Sequence, residues 1–160
     1  SVNIGEDWYL HGEGVAKNFY FTPWEHGYSK VTLEMRLALL DAAGVQALMG
    51  LLQTVITDYA EPAANCAHFL VDTAVSATFR ARTYQAAEEE TDTLVALDTD
   101  FHVFKIIWSR TNVLFYIDDV LVATHATQVP VPSLFIELVV RSLAGGVRAI
   151  DIDYIYAEMS

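Results

Sequence analysis

The sequence is poor in cysteine and in positive charge, and each shortage excludes a class of protein. Its single cysteine, Cys66, cannot form a disulfide within the chain, which excludes a disulfide-stapled scaffold. Nine Lys and Arg residues stand against 21 Asp and Glu residues, for a formal net charge of -12. Because such a charge repels phosphate groups and anionic lipid heads, we expect neither nucleic acid nor a membrane surface as a partner.

Long apolar runs and linker segments are lacking as well. No uninterrupted apolar stretch reaches the roughly 18 residues of a membrane-spanning helix. The first residues, SVNIGEDWYLHG, have no basic region followed by an apolar stretch, so we see no signal peptide. With no long Gly/Ser/Pro linker and no internal repeat in 160 residues, the sequence predicts a single domain over 1–160.

Hydrophobic residues make up 53% of the chain. Their spacing follows the period of β-strands. From Val31 to Leu39 the odd positions are apolar, whereas Thr32, Glu34 and Arg36 are polar. This alternation indicates a strand with one buried face. Further strands are predicted over 45–56, 67–72, 77–84, 93–97, 103–109, 113–117, 120–125, 134–142 and 147–158. Many short strands without a helix-period segment predict an all-β fold, an antiparallel β-sandwich.

The connections between these strands carry their own signals. Gly145-Gly146 is typical of a hairpin turn. Glu88-Glu89-Glu90 is the one cluster of like charge, and we interpret it as a solvated loop. Asp118-Asp119 reverses the chain between two of the strands.

Three segments carry a family resemblance. Residues 101–125 have the sequence FHVFKIIWSRTNVLFYIDDVLVATH, the chain ends in AIDIDYIYAE, and residues 27–52 begin GYSKVTLEMRLALL. Together they resemble the concanavalin A-like lectin/glucanase superfamily, in its laminarinase-like or laminin-G-like branch, and imply a jelly-roll β-sandwich. Non-catalytic, virion-associated members of the superfamily are the most similar. Relatives usually have Gly at the second position of the turn, where this chain has Asp119. Asp tolerates the left-handed conformation, so we expect the turn to be kept.

A second departure concerns catalysis. Laminarinase-like enzymes carry Glu-x-Asp-x-x-Glu, or one residue fewer, on an inner strand, and a retaining mechanism needs two carboxyl groups close together. Where that strand is expected, after Val55, this chain has Asp58 and Glu61, followed by Pro62. Their spacing places them in a loop rather than on one face of a strand. From this we predict a protein that is not an enzyme, with no catalytic residues.

Metal and nucleophile chemistry have little support. The five histidines show no ligand spacing, so no metal site is predicted, and His102 and His125 are interpreted as structural. Cys66 is interpreted as an inert thiol. No cofactor is predicted. Some laminarinase-like members bind a structural cation through an Asp of the last strand, which here is Asp153, so a structural calcium ion stays an open alternative.

Aromatic residues cluster within the first 28 positions. Because pyranose rings stack on flat aromatic faces, Trp8, Tyr9, Trp24 and Tyr28 are candidates for a glycan platform. The alternative is that they cover the sheet edge or belong to the core.

Several strands are apolar at both odd and even positions, for example 48–52 and 134–136. This suggests an exposed apolar face that binds another molecule. We therefore predict a non-catalytic structural or adhesive module, such as a bacteriophage capsid-decorating or tail-associated domain. Its partners would be other protein subunits or copies of itself, and its location a virion or an extracellular surface. A soluble lectin-like carbohydrate-binding module is the alternative, and a divergent glycoside hydrolase is a third.

Overall fold

The computed structural model describes residues 2–3, 20–54, 64–143 and 148–160. These residues form twelve strands and no helix. In chain order the strands are β1 (Val2–Asn3), β2 (Tyr20–Phe21), β3 (Lys30–Leu39), β4 (Val45–Leu52), β5 (Cys66–Asp72), β6 (Thr78–Tyr84), β7 (Glu88–Ala96), β8 (His102–Ser109), β9 (Val113–Ile117), β10 (Val120–His125), β11 (Leu134–Ser142) and β12 (Ile150–Met159). Within the described ranges, no segment has the length and apolar character of a membrane-spanning helix.

The strands pair into two six-stranded sheets. Sheet A has the order β1-β12-β3-β8-β9-β10, and sheet B has the order β2-β11-β4-β5-β6-β7. All pairings between described strands are antiparallel. The chain crosses from sheet A to sheet B after β3, meanders through β4–β7, and returns for β8–β10. The predicted all-β antiparallel sandwich is confirmed.

The core lies between the two sheets and takes one side of each strand. In β3 the odd positions Val31, Leu33 and Met35 are fully buried, as the alternation predicts. Trp108 of β8 is also fully buried, and its Nε1–H donates to the carbonyl oxygen of Pro130 at 2.9 Å. This satisfies the one polar atom that the indole brings into the core.

Strand β5 is buried on both faces. Phe69 belongs to the core between the sheets, whereas Cys66, His68 and Leu70 alternate with core-facing positions. They therefore point to the side of sheet B that is turned away from sheet A, which we call the outer face of sheet B. Gly50 of β4 lies opposite His68, and a Cβ added there would stand 2.6 Å from the His68 Cα. Strands β4 and β5 can lie this close together because position 50 has no side chain.

The predicted loop at Glu88-Glu89-Glu90 is wrong, because these residues begin β7. The strand runs from Glu88 to Ala96, whereas the sequence predicted only 93–97. Arg80 and Arg82 of β6 lie opposite Asp92 and Glu90 in the register. Cross-strand pairs of opposite charge stabilise a sheet, and they compensate here for the low strand propensity of glutamate.

Other predicted boundaries differ by a few residues. The strand predicted over 45–56 ends at Leu52, and the one predicted over 147–158 is Ile150–Met159. The predicted hairpin turn at Gly145-Gly146 lies outside the described residues. The turn at Asp118-Asp119 is confirmed, since both residues have positive φ, 51° and 62°.

Candidate functional site

On the outer face of sheet B, charged side chains of β6 and β7 lie next to the buried side chains of β5. The alternation of β6 turns Arg80, Arg82 and Tyr84 outward, and the register sets them opposite Asp92, Glu90 and Glu88. His68 lies opposite Arg82 in the neighbouring pair of strands. A histidine, two arginines and three carboxylates therefore share one face over three adjacent strands.

Glu90 is held by two guanidinium groups. Arg80 Nη1 donates to its Oε1 at 2.7 Å, and Arg82 donates to its Oε2 from Nε at 2.9 Å and from Nη2 at 2.5 Å. Three charge-assisted hydrogen bonds of this length fix the position of the carboxylate. The Glu90 side chain stays 23% exposed, so it is both anchored and reachable from solvent.

Glu88 shares one of these guanidinium nitrogens. Its Oε2 lies 3.6 Å from Arg82 Nε, and its side chain is 43% exposed. The two carboxylates are therefore attached to the same arginine with unequal strength. Glu90 is tightly bonded, whereas Glu88 makes a longer and more solvated contact.

Two buried side chains on this face carry nitrogen atoms that have no partner. Within the part of the chain that the structure describes, neither ring nitrogen of His68 makes a hydrogen bond, and neither does Arg80 Nε. His68 is fully buried and Arg80 nearly so. Buried polar groups are normally satisfied, so these nitrogens are exceptions among the described residues.

Burial sets the protonation of His68 and Cys66 on β5. It lowers the pKa of His68 to about 3, with the positive charge of Arg82 acting in the same direction. Burial also raises the pKa of the Cys66 thiol to about 12. His68 is therefore neutral and Cys66 remains a thiol at physiological pH. Cys66 is free and buried, which agrees with its interpretation as an inert thiol.

Asp92 closes the row of carboxylates on β7. Its Oδ1 accepts hydrogen bonds from the Leu94 amide at 2.8 Å and from the Thr78 hydroxyl at 2.7 Å. These bonds lower the pKa of Asp92 below its ordinary value. The contact with Leu94 accompanies a φ of 61° at that residue, so Asp92 stabilises the irregular end of β7.

The predicted glycan platform is only partly described. Trp8 and Tyr9 lie outside the described residues. Trp24 packs edge-on against Trp108 with ring centroids 5.2 Å apart, and its Nε1–H donates to Val131 O at 3.1 Å. Tyr28 is 41% exposed. The platform stays a prediction, with Trp24 attached to the core and Tyr28 available at the surface.

The other predicted residues have clear structural surroundings. Asp153 accepts a hydrogen bond from Arg36, and the described residues contain no group of three or more His, Cys, Asp or Glu that could hold a metal ion. His125 is buried, with the hydroxyls of Thr83 and Thr91 each 3.0 Å from a ring nitrogen. This bonding supports the interpretation of His125 as structural.

His102 is the second histidine interpreted as structural. It joins the start of β8 to Asp118 at 2.6 Å and to Asp98 at 3.0 Å.

The carboxylates that the sequence analysis considered for catalysis are not on a described strand. Asp58 and Glu61 lie outside the described residues. The next described strand after Val55 is β5, and its outward positions hold Cys66, His68, Leu70 and, at its end, Asp72, which accepts a hydrogen bond from Gln46 Nε2 at 2.8 Å. The row on β7 was missed because Glu88 was assigned to a loop. The sequence signal for this row is the alternation of Glu88, Glu90 and Asp92. On the preceding strand, Arg80 and Arg82 alternate in the same way and lie opposite Asp92 and Glu90.

Two sheets in this arrangement, with a charged outer face on one of them, define a concanavalin A-like β-sandwich of the kind that includes carbohydrate-active proteins. The sequence pattern of glycosyl hydrolases family 16 matches residues 64–150, just over half of the chain. The chain belongs to this family. The resemblance to the concanavalin A-like superfamily is thereby confirmed. A comparison with curated protein sequences gives no match.

Solved structures show the same fold at low sequence identity. The laminarinase catalytic domain of Thermotoga maritima is 19% identical, with a TM-score of 0.60 over 86% of this chain and 64% of that chain. A β-1,3-glucanase of Mycobacterium marinum is 16% identical, with a TM-score of 0.59 over 82% of this chain and 64% of that one. A family 16 protein from a mixed-linkage glucan locus of Bacteroides ovatus is 15% identical, with a TM-score of 0.59 over 88% and 71%.

These likenesses support the fold, and the chain spans less than two thirds of the Thermotoga and Mycobacterium chains. The predicted virion structural or adhesive function is contradicted by the family 16 match and by the glucanase neighbours. The prediction that the protein is not an enzyme is contradicted by the same findings. The prediction that the protein is not an enzyme relied on the absence of carboxylates after Val55.

Proposed function

We propose that this domain has a glycoside hydrolase-like function and cleaves a β-linked glucan bound along the outer face of sheet B. The observation that carries the proposal is the family 16 match over residues 64–150, because this range contains β5, β6 and β7. Those strands build the charged part of the outer face. The laminarinase and the β-1,3-glucanase among the structural neighbours favour β-1,3-linked glucan as the first substrate class to test.

The chemistry of the outer face fits this reaction. Glycosidases act through two carboxyl groups, one of which transfers a proton to or from the glycosidic oxygen. Glu88 and Glu90 provide carboxylates there, and both are reachable from solvent.

A hydrolysis assay tests the proposal. The purified chain is incubated with laminarin and with barley mixed-linkage glucan between pH 4 and pH 8, and reducing ends are measured over time. We expect release from at least one glucan, and none from a heat-unfolded sample. The absence of release from both glucans across this range would contradict the proposed function.

The place of binding is tested separately by hydrogen–deuterium exchange. A laminari-oligosaccharide is expected to protect amides of β6 and β7 and to leave those of β8 and β9 unchanged. Protection confined to sheet A would move the site away from the outer face of sheet B. The variants Asp58→Asn and Glu61→Gln are measured in the same hydrolysis assay. They test the two carboxylates that the sequence analysis considered for catalysis, which lie outside the described residues.

A further inference from the structure

The edge of sheet B beside β11 is open over most of its length. Strand β11 pairs with β4 from Phe135 to Ser142. On its other side, the two-residue strand β2 pairs only with Leu134 and Phe135. Within the described ranges, residues 136–142 therefore have a neighbouring strand on one side only. The other side of such a strand carries a row of N–H and C=O groups with which another chain can pair.

The sequence of β11 does not oppose such pairing. Proteins protect open edges with proline, with lysine or with a bulge that interrupts the ladder. Strand β11 has the sequence LFIELVVRS, without proline or lysine. Its pairing with β4 is regular from end to end. Residues 136–142 therefore form a straight and mostly apolar edge.

The core is less completely covered at this edge. Alternation turns Ile136, Leu138 and Val140 toward sheet A, where they pack against the core but stay partly exposed. The residues opposite them on β4 are fully buried. A neighbouring strand with apolar side chains on the same face removes this remaining apolar area from water, which is favourable.

The charges of β11 favour a second copy of the same strand as its partner. Glu137 and Arg141 are the only charged residues of β11, and both lie on the outer face of sheet B. In an antiparallel pair centred on Val139, Glu137 of each copy lies opposite Arg141 of the other. Val139 is also the midpoint of residues 136–142, so the same register pairs the whole open edge. A parallel pair in register would place like charges opposite each other, which is destabilising.

This register also leaves β2 in place. Ser142, where β11 ends, comes opposite Ile136 of the other copy. Strand β2 therefore keeps the two partners with which it pairs beyond that point. On the core side, Leu138 of each copy comes opposite Val140 of the other. Because both copies use the same edge, the contact has two-fold symmetry and closes after two chains.

We propose that two copies of this chain associate through β11, antiparallel and centred on Val139, so that their B sheets become continuous. Backbone hydrogen bonds over residues 136–142, apolar contacts on the core side and two Glu137–Arg141 ion pairs stabilise the dimer. The inference is independent of the proposed hydrolase function, because β6 and β7 take no part in the contact.

The molar mass of the intact chain tests the association. Light scattering coupled to size-exclusion chromatography is carried out from about 1 µM to about 200 µM protein. The mass is expected to rise from 17.8 kDa toward twice this value as the concentration increases.

Charge reversal tests the register. Glu137→Arg and Arg141→Glu each place like charges opposite one another, and each should weaken the dimer at least about tenfold. The double variant restores opposite charges and should associate like wild type. An equimolar mixture of the two single variants should form a mixed dimer, because each copy then meets opposite charge at both positions. Asp100→Arg, at an exposed position between β7 and β8, is the control for the change in net charge.

A cysteine at the two-fold axis gives a measurement that does not depend on charge. In this register Val139 lies opposite itself, with Cα atoms about 4.5 to 5.5 Å apart, within the range of a disulfide. Oxidised glutathione should convert Val139→Cys to a covalent dimer and be reduced to two glutathione thiols. Ser142→Cys is the matched control, because its two copies lie roughly 20 Å apart along the strands. Cys66 is buried in both variants.

The outcomes are distinct from those of the hydrolysis assay. A wild-type chain that stays at 17.8 kDa at every concentration would overturn the proposal. Charge-reversed variants that are folded by circular dichroism and associate like wild type would also overturn it, as would equal crosslinking of Ser142→Cys and Val139→Cys. A dimer that hydrolyses no glucan would leave this inference standing and contradict only the proposed function.

Discussion

His68 and His102 differ in the pKa shifts that their surroundings produce. His68 is fully buried without hydrogen bonds to its ring, and its pKa falls to about 3. Burial also acts to lower the pKa of His102, but the hydrogen bonds to Asp118 and Asp98 outweigh it and raise the pKa. The two residues therefore contribute to stability in opposite pH ranges.

His68 should make the fold sensitive to acid. Because its pKa is about 3 in the folded chain and 6.5 ordinarily, the unfolded state binds more protons between these values. Its contribution is complete above pH 6.5 and is lost as the pH falls toward 3, a loss on the order of 5 kcal/mol. Urea unfolding at pH 7 and pH 4 should show a steeper loss for wild type than for His68→Leu. Equal losses would contradict the assignment, and His26→Gln, at an exposed position, is the control.

His102 should act in the other direction. Its raised pKa means that its ion pairs stabilise the fold below pH 6.5, and that this contribution disappears as the pH rises through the folded value. A double-mutant cycle of His102→Gln with Asp118→Asn is expected to give a coupling free energy of about 1 kcal/mol at pH 6, because the pair is partly exposed. At pH 9 the coupling should be smaller. A coupling that does not change with pH would show that the contact is not charged.

At the scale of elements, the approach of β4 to β5 depends on Gly50. A Cβ there would lie 2.6 Å from the Ala67 carbonyl oxygen as well as from the His68 Cα, and both are backbone atoms that cannot move aside. Gly50→Ala should therefore destabilise the chain by about 3 kcal/mol, measured by urea unfolding. Gly27→Ala is the matched control, since Gly27 has a φ of 77° and open space around it. It should cost about 1 kcal/mol, from its backbone conformation alone.

The sequence predicted the strands whose two faces differ in polarity. In β3 and β8 apolar and polar residues alternate, and these strands lie close to where they were expected. Strand β7 was misassigned in its first half because three consecutive glutamates resemble a solvated segment. Only the pairing with Arg80 and Arg82 makes that stretch a strand, and such pairing depends on a partner in the tertiary structure.

The candidate site was less predictable than the fold. The alternation of Glu88, Glu90 and Asp92 is present in the sequence, but the strand that sets them on one face was not predicted, because residues 88–90 were assigned to a loop. The full burial of His68 could not be read from the sequence, because it results from the packing of both faces of β5. The attachment of both glutamates to Arg82 is likewise a property of the folded sheet.

At the scale of the whole molecule, the net charge of -12 acts against the compact state. Like charges are held closer together in the folded chain than in the unfolded one, and dissolved salt screens their repulsion. Raising NaCl from 10 mM to 300 mM should therefore stabilise the fold, by on the order of 1 kcal/mol. Thermal unfolding checks this, and KCl should have the same effect as NaCl. A decrease in the unfolding midpoint would show that screened ion pairs outweigh the net repulsion.

The position of β7 also bears on how copies of the molecule meet. This strand ends sheet B in the strand order, and terminal strands are where separate chains tend to join into extended aggregates. Here the strand begins with three glutamates, so two copies approaching along this border would bring rows of like charge together. We expect the same carboxylates that face the outer surface to keep concentrated solutions of this protein free of fibrils.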